Sequence, residues 1–144
     1  MKKFIHVTSP KFAILAGEKQ ELVNDGMYGK ALAEYLQSKL KERRYNVPFF
    51  CCEDWGWWVE IKDTPFTFGV CIYSGLEESE PLDLFCTDGA AQEKVWSWSK
   101  FRFIDTRPWA EKLHGDLVAI FSSDPDVSVV GTSLDSPFSD AKDA

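Results

Sequence analysis

The chain has 144 residues, the size of one ordinary domain with room for a real core, and 44% of them are hydrophobic. Its formal net charge of −7 works against nucleic acid and against anionic membrane surfaces, whose phosphates attract cations, while a basic partner stays compatible. Aromatic content is high at 15%, with 6 Trp and 11 Phe, so a thin two-layer fold could draw its stability from a few large side chains.

Residues 4–8 (Phe-Ile-His-Val-Thr) read as a short strand that stops at Ser9-Pro10, and residues 12–15 as a second extended piece. Lys2-Lys3 opens no secretory leader, because His6, Ser9, Pro10 and Lys11 interrupt the apolar run; with no stretch of membrane-spanning length, the expected location is the cytoplasm. Residues 17–26 read as a charged loop. Over 28–44, Ala31, Leu32, Tyr35, Leu36 and Leu40 recur at spacings of three and four, which predicts an amphipathic helix. Its last turn is basic, as suits the negative end of the helix dipole; Asn46 is the expected left-handed cap, and Pro48 blocks continuation.

The centre of the chain is a hairpin. Trp55, Trp57, Val59 and Ile61 alternate along one run, and Phe66, Phe68, Val70 and Ile72 along the next. The polar linker 62–65 predicts Ile61 opposite Phe66, Val59 opposite Phe68, Trp57 opposite Val70 and Trp55 opposite Ile72. On the reverse face the same register sets Trp58 over Gly69, a large ring filling the space a glycine leaves. An acidic loop with Glu77, Glu78 and Glu80 follows, then a strand over 82–87 and a turn at Asp88-Gly89.

Residues 95–104 predict a fourth strand of this set whose apolar phase changes midway, from Trp96 and Trp98 to Phe101 and Phe103. A bulge near Ser99-Lys100 would bring all four to one face; without it, Trp96, Trp98, Lys100 and Arg102 share a face. Asp105 or Thr106 caps a second helix with Pro108 in its first turn and Ala110, Leu113, Leu117, Ile120 and Phe121 as its buried stripe. Residues 127–131 form a last strand at a sheet edge, and 132–144 an acidic, flexible tail. The expected fold is α+β: a two-layer sandwich, a mainly antiparallel sheet of four to six strands under two helices, in the order β-α-β-β-β-β-α-β, with residues 1–131 as its single domain.

No constellation reads as a catalytic site. His6 and His114 are the only histidines, one on a strand and one on the flank of a helix, and the ordinary structural reading fits both. Glu53 and Asp54 are adjacent on a strand and point apart, so they do not form an acid–base pair, although they flank the aromatic strand. Cys51, Cys52, Cys71 and Cys86 show no CxxC spacing and read as reduced, mostly buried thiols; a metal site of Cys51, Cys52 and His6 would need the first two strands to be neighbours. No phosphate loop or nucleophile elbow is present. No cofactor and no metal are expected.

The binding candidate is the basic-aromatic stretch 96–109. Lys100, Arg102 and Arg107 stand out in an acidic chain, and Arg107 sits at a helix start, where free N–H groups attract anions. Without the bulge, Trp96, Trp98, Lys100 and Arg102 line the sheet face together with Trp58 and could take up an acidic peptide or a carboxylate; a closed pocket would instead need Arg102 or Arg107 to converge with Glu53 or Asp54. At Gly29-Lys30-Ala31-Leu32-Ala33-Glu34-Tyr35-Leu36 and Glu53-Asp54-Trp55-Gly56-Trp57 the first half of the chain resembles a family of small bacterial proteins to which no activity is attached, so the resemblance implies a helix and a strand and no function.

The expectation is a non-enzymatic protein that binds a protein partner or itself, as a homodimer, through an aromatic sheet face. The alternative is an enzyme or small-ligand carrier with an anion pocket around Arg102 and Arg107. A thiol sensor at Cys51 and Cys52 comes third.

Overall fold

The computed structural model describes residues 2–75 and 81–136. Strand β1 (Phe4–Thr8) falls where the sequence predicts it. The expected extended piece over 12–15 forms no strand: Phe12 closes a 3-10 turn, Pro10–Phe12, capped by Ser9, whose Oγ accepts from Lys11 N at 3.1 Å and donates to Asp126 O at 2.7 Å, and residues 13–15 continue as irregular chain from an extended Ala13. The expected loop over 17–26 contains the short helix α1 (Glu18–Glu21). Glu18 is 1% exposed, and its carboxylate accepts from Leu15 N, Gly29 N and Lys30 N at 3.0, 2.9 and 3.1 Å. The last two N–H groups open helix α2 (Lys30–Glu42), which has no side-chain cap of its own, so a carboxylate eleven residues upstream serves its positive end.

Helix α2 buries Ala31, Leu32, Ala33, Leu36 and Leu40. It ends in a Schellman turn, with Tyr45 N bonded to Leu40 O and Arg44 N to Lys41 O, both at 3.0 Å. The left-handed residue is Arg44, at φ 70°, rather than Asn46, which instead bridges Lys62 at the sheet margin.

Four strands follow: β2 (Phe50–Glu53), β3 (Gly56–Ile61), β4 (Phe68–Ser74) and β5 (Leu84–Asp88). Strand β2 was not expected; it forms a hairpin with β3 through the turn Asp54-Trp55, so Trp55 is a turn residue, lying 5.3 Å from the Tyr73 ring. The β3–β4 register differs by two residues from the expected one: Ile61 faces Phe68, Val59 faces Val70, Trp57 faces Ile72 and Trp58 faces Cys71. Phe66 causes the offset by leaving the strand to pack against Trp109 and Phe68, each ring 5.3 Å away, which lengthens the connection. A shift of two preserves the faces, so Trp57, Val59, Ile61, Phe68, Val70 and Ile72 are all buried as the alternation requires.

Strands β6 (Lys94–Ser97) and β7 (Arg102–Asp105) come next, then helix α3 (Arg107–Ser123) and strand β8 (Ser128–Leu134). The main sheet runs β2-β3-β4-β5-β1-β8, antiparallel at every contact, with β8 at the edge and running three residues past the expected 127–131 into the presumed tail. Leu32, Leu36 and Leu40 of α2 and Leu113, Leu117, Ile120 and Phe121 of α3 join Ile5, Val7, Trp57, Val59, Val70, Ile72, Leu84 and Cys86 in one core, so both long helices cover the same sheet face. The protein is thus an α+β two-layer fold whose strand order differs from the expected one by the two extra strands. The loop Glu77, Glu78 and Glu80 and residues 137–144 lie outside the described residues. No helix among the described residues is long and apolar enough to cross a membrane.

Candidate binding surface

Residues 94–105 do not join the main sheet. Among the described residues, strands β6 and β7 pair only with each other, Lys94 facing Asp105, Val95 facing Ile104, Trp96 facing Phe103 and Ser97 facing Arg102. The expected single strand with or without a bulge is therefore a hairpin, turning through residues 98–101. The turn has no glycine; Phe101 takes the left-handed conformation at φ 50°, unusual for an aromatic residue. Ser97, 5% exposed, holds the turn: its Oγ accepts from Lys100 N at 3.3 Å and lies 3.2 Å from Ser99 Oγ.

Cross-strand partners share a face. Val95 and Ile104 form the inner side, with Ile104 5% exposed, and Ser97 and Arg102 continue that side. The outer side carries Trp96 and Phe103, joined by Trp98 and Phe101 from the turn. The Trp96 ring lies 5.7, 5.3 and 5.2 Å from those of Trp98, Phe101 and Phe103, edge-on to each. This interlocking favours the ribbon, which as an isolated two-stranded unit would be marginal. Yet Trp98 remains 80%, Phe101 74%, Phe103 65% and Trp96 38% exposed. The Trp96–Phe103 pair alone would lock the strands; Trp98 and Phe101 go beyond what the ribbon itself requires.

The base of the ribbon is tied firmly. Lys2 Nζ donates to Asp88 O, Asp88 Oδ1 and Ala90 O at 2.8, 3.0 and 2.6 Å, and Ala90 N donates to Asp88 Oδ1 at 3.1 Å. On the exit strand, the buried Thr106 donates through N to Glu93 O (2.7 Å) and through Oγ1 to Gln92 O (2.6 Å). Its tip therefore projects from a fixed mount.

The predicted site residues divide. Trp96 and Trp98 come together on the outer face and Lys100 lies in the turn, while Arg102 lies opposite Ser97 on the other face, because the hairpin reverses the phase that a single strand would keep. Trp58 belongs to the main sheet, where its ring covers Gly69 as expected and also Gly89; a Cβ on either would meet the ring at 2.7 or 2.2 Å, and Nε1 donates to Glu60 Oε1 at 2.6 Å. It is therefore fully engaged there and does not extend the ribbon's surface.

Arg107 does stand at the start of α3, but its anion is internal: Asp105 accepts from Arg107 Nε, Nη2 and N at 2.9, 2.8 and 3.0 Å, and these bonds hold the Asp105 carboxyl down to about 2. Glu53 and Asp54 sit at the β2–β3 turn, Glu53 accepting from Cys51 Sγ at 3.3 Å and Asp54 accepting at its carbonyl from Asn24 at 2.7 Å. A concavity of about 270 Å³ beside the ribbon base is lined by Lys2, Asp88, Thr106 and Arg107, with none of Arg102, Glu53 or Asp54 on its walls.

His6, 6% exposed, meets Asp83 Oδ1 at 2.9 Å and stacks on Phe85, and the half-buried His114 donates from Nε2 to Thr132 O. Strand β1 is separated from β2 by three strands, so His6 does not meet Cys51 and Cys52. All four cysteines are free. Burial, and next the neighbouring Glu53, pushes the Cys51 thiol up to about 11, and burial pushes that of Cys71 up to about 11. Both shifts oppose the thiolate that a sensor needs.

Phe101 and Phe103 are the surface residues that the sequence reading did not place in its site. Their signal was the phase change itself: two tryptophans on even positions and two phenylalanines on odd ones are what a hairpin turn of four residues produces. Set against family models, curated proteins and solved structures, the chain matches none of them.

Proposed function

We propose that this is a non-enzymatic, cytoplasmic binding protein whose working surface is the outer face of the β6–β7 ribbon. The observation that carries it is four mutually packed aromatic rings, two of them more than 70% exposed, on a mount fixed by Lys2 and Thr106. At roughly 200 Å² per large aromatic side chain, their exposed surface is on the order of 500 Å², in the upper range of what a monomer leaves in water. Burying it in a partner would release about 12 kcal/mol before the costs of association. Trp and Phe are also residue types enriched in interface cores.

Support for the non-enzymatic part comes from the scatter of the acids, bases and thiols: Glu53 and Asp54, Arg107, His6 and His114 occupy separate places, each with internal partners. The free cysteines suit a reducing compartment, and the net charge of −7 disfavours nucleic acid and anionic membranes.

The test is a photoreactive benzoyl-phenylalanine in place of Trp98, irradiated in cells that express the full chain. A covalent protein–protein product that disappears in the Phe101→Ser background is expected. A chain recovered only as uncrosslinked monomer overturns the proposal.

A further inference from the structure

We infer that the occupant of the aromatic face is the same face of a second copy, the two ribbons packed antiparallel about a two-fold axis. This rests on the binding role proposed above and names its partner.

Area is the first argument. A face of order 500 Å² on each of two copies buries about 1,000 Å² in total, the threshold of a specific interface. A two-fold contact needs a self-complementary surface, and a cluster of rings meeting edge-on in one copy can continue the same packing into the next.

Charge is the second. Residues 94–104 include Lys94, Lys100 and Arg102 and no carboxylate, in a chain of net charge −7. Two such acidic molecules therefore approach with least repulsion through this ribbon. Asp105 at the base of the ribbon accepts from Arg107, and Arg102 is turned to the side away from the rings. Lys100 lies in the turn at the tip. A parallel arrangement would set Lys100 against Lys100, which antiparallel packing avoids.

Shape is the third. The rings occupy one side of the ribbon, whereas its other side turns Val95 and Ile104 inward and exposes Arg102. A loop that dips into a bilayer would be apolar around its whole tip; a one-sided platform fits a second flat platform.

The experiment is sedimentation of the full chain between about 1 and about 100 µM at about 0.15 M salt. A reversible dimer is expected. W98S/F101S should weaken it by at least about tenfold with an unchanged circular dichroism spectrum, since both side chains face water in the monomer.

A monomer throughout the range overturns the second copy, and so does a dimer that W98S/F101S leaves intact, which would be formed by another face. The position-98 photocrosslink separates the two levels. A product with a foreign protein refutes self-association while a binding ribbon stands. A monomer with no product at all refutes both.

Discussion

Two hairpins of this chain are rich in tryptophan, and their rings meet opposite fates. In β3–β4, Trp57 is 2% exposed and donates its indole N–H to Met27 O at 2.8 Å, between strands on both sides and under the start of helix α2. In β6–β7, Trp98 is 80% exposed, on a ribbon that no other strand pairs with. The residue type and the local alternation are alike, so neither decides burial. What decides it is whether the topology supplies neighbours on both edges and a layer above. Where it does, an aromatic ring is part of the core; where it does not, the same ring is a surface held ready for another molecule.

The comparison can be broken most sharply at Trp57. Trp57→Ala should cost about 3–5 kcal/mol in urea unfolding, because it removes a fully packed ring and leaves Met27 O without its donor. A loss below about 1 kcal/mol would mean that the central hairpin is no more essential than the ribbon. Gly69→Ala comes next: its methyl would stand 2.3 Å from Val59 O and 2.7 Å from the Trp58 ring, and about 1–3 kcal/mol of destabilisation is expected.

A smaller effect is expected at the ribbon's exit. Asp105 is held below its ordinary 3.8, at about 2, by Arg107. A carboxylate with a lowered folded-state value contributes stability that is complete above its ordinary value and is lost as the pH falls through the folded one. Thermal melts of wild type and Asp105→Asn should therefore differ above about pH 4 and converge toward about pH 2. A gap that stays constant with pH would assign the effect to something other than this pair. The smallest change is predicted for Trp98→Ser, within about 0.5 kcal/mol of wild type when measured on the monomer at low concentration. A larger cost there would show the ring to be a structural part of the ribbon and not a spare surface.

Much of the fold could be read before the structure. The first strand, both long helices and the buried faces of the central hairpin follow from periods of two and 3.6, which each segment carries within itself. The site was half legible. Trp96 and Trp98 do meet, while a single strand over 95–104 predicts Arg102 on their face and the hairpin turns it away; Trp58 packs within the main sheet, and Arg107, expected at a helix start that attracts anions, pairs with Asp105. A turn without glycine or proline gives no local warning, and only the phase change marked it.

Alternation and helical spacing are properties of the chain itself, so the amphipathic elements, their buried faces and the α+β class were determined by the sequence alone. Register, partners and exposure are properties of what comes to lie alongside. Phe66 left its strand because Trp109, 43 positions away, offered it a ring to pack on, and Glu18 went inward because the bare N-terminus of α2 needed a carboxylate. The tryptophan ribbon stayed in water because the main sheet closed with β1 and β8 beyond β5 and took no strand from it. Each of these depends on contacts between distant segments, which only the tertiary structure could bring together.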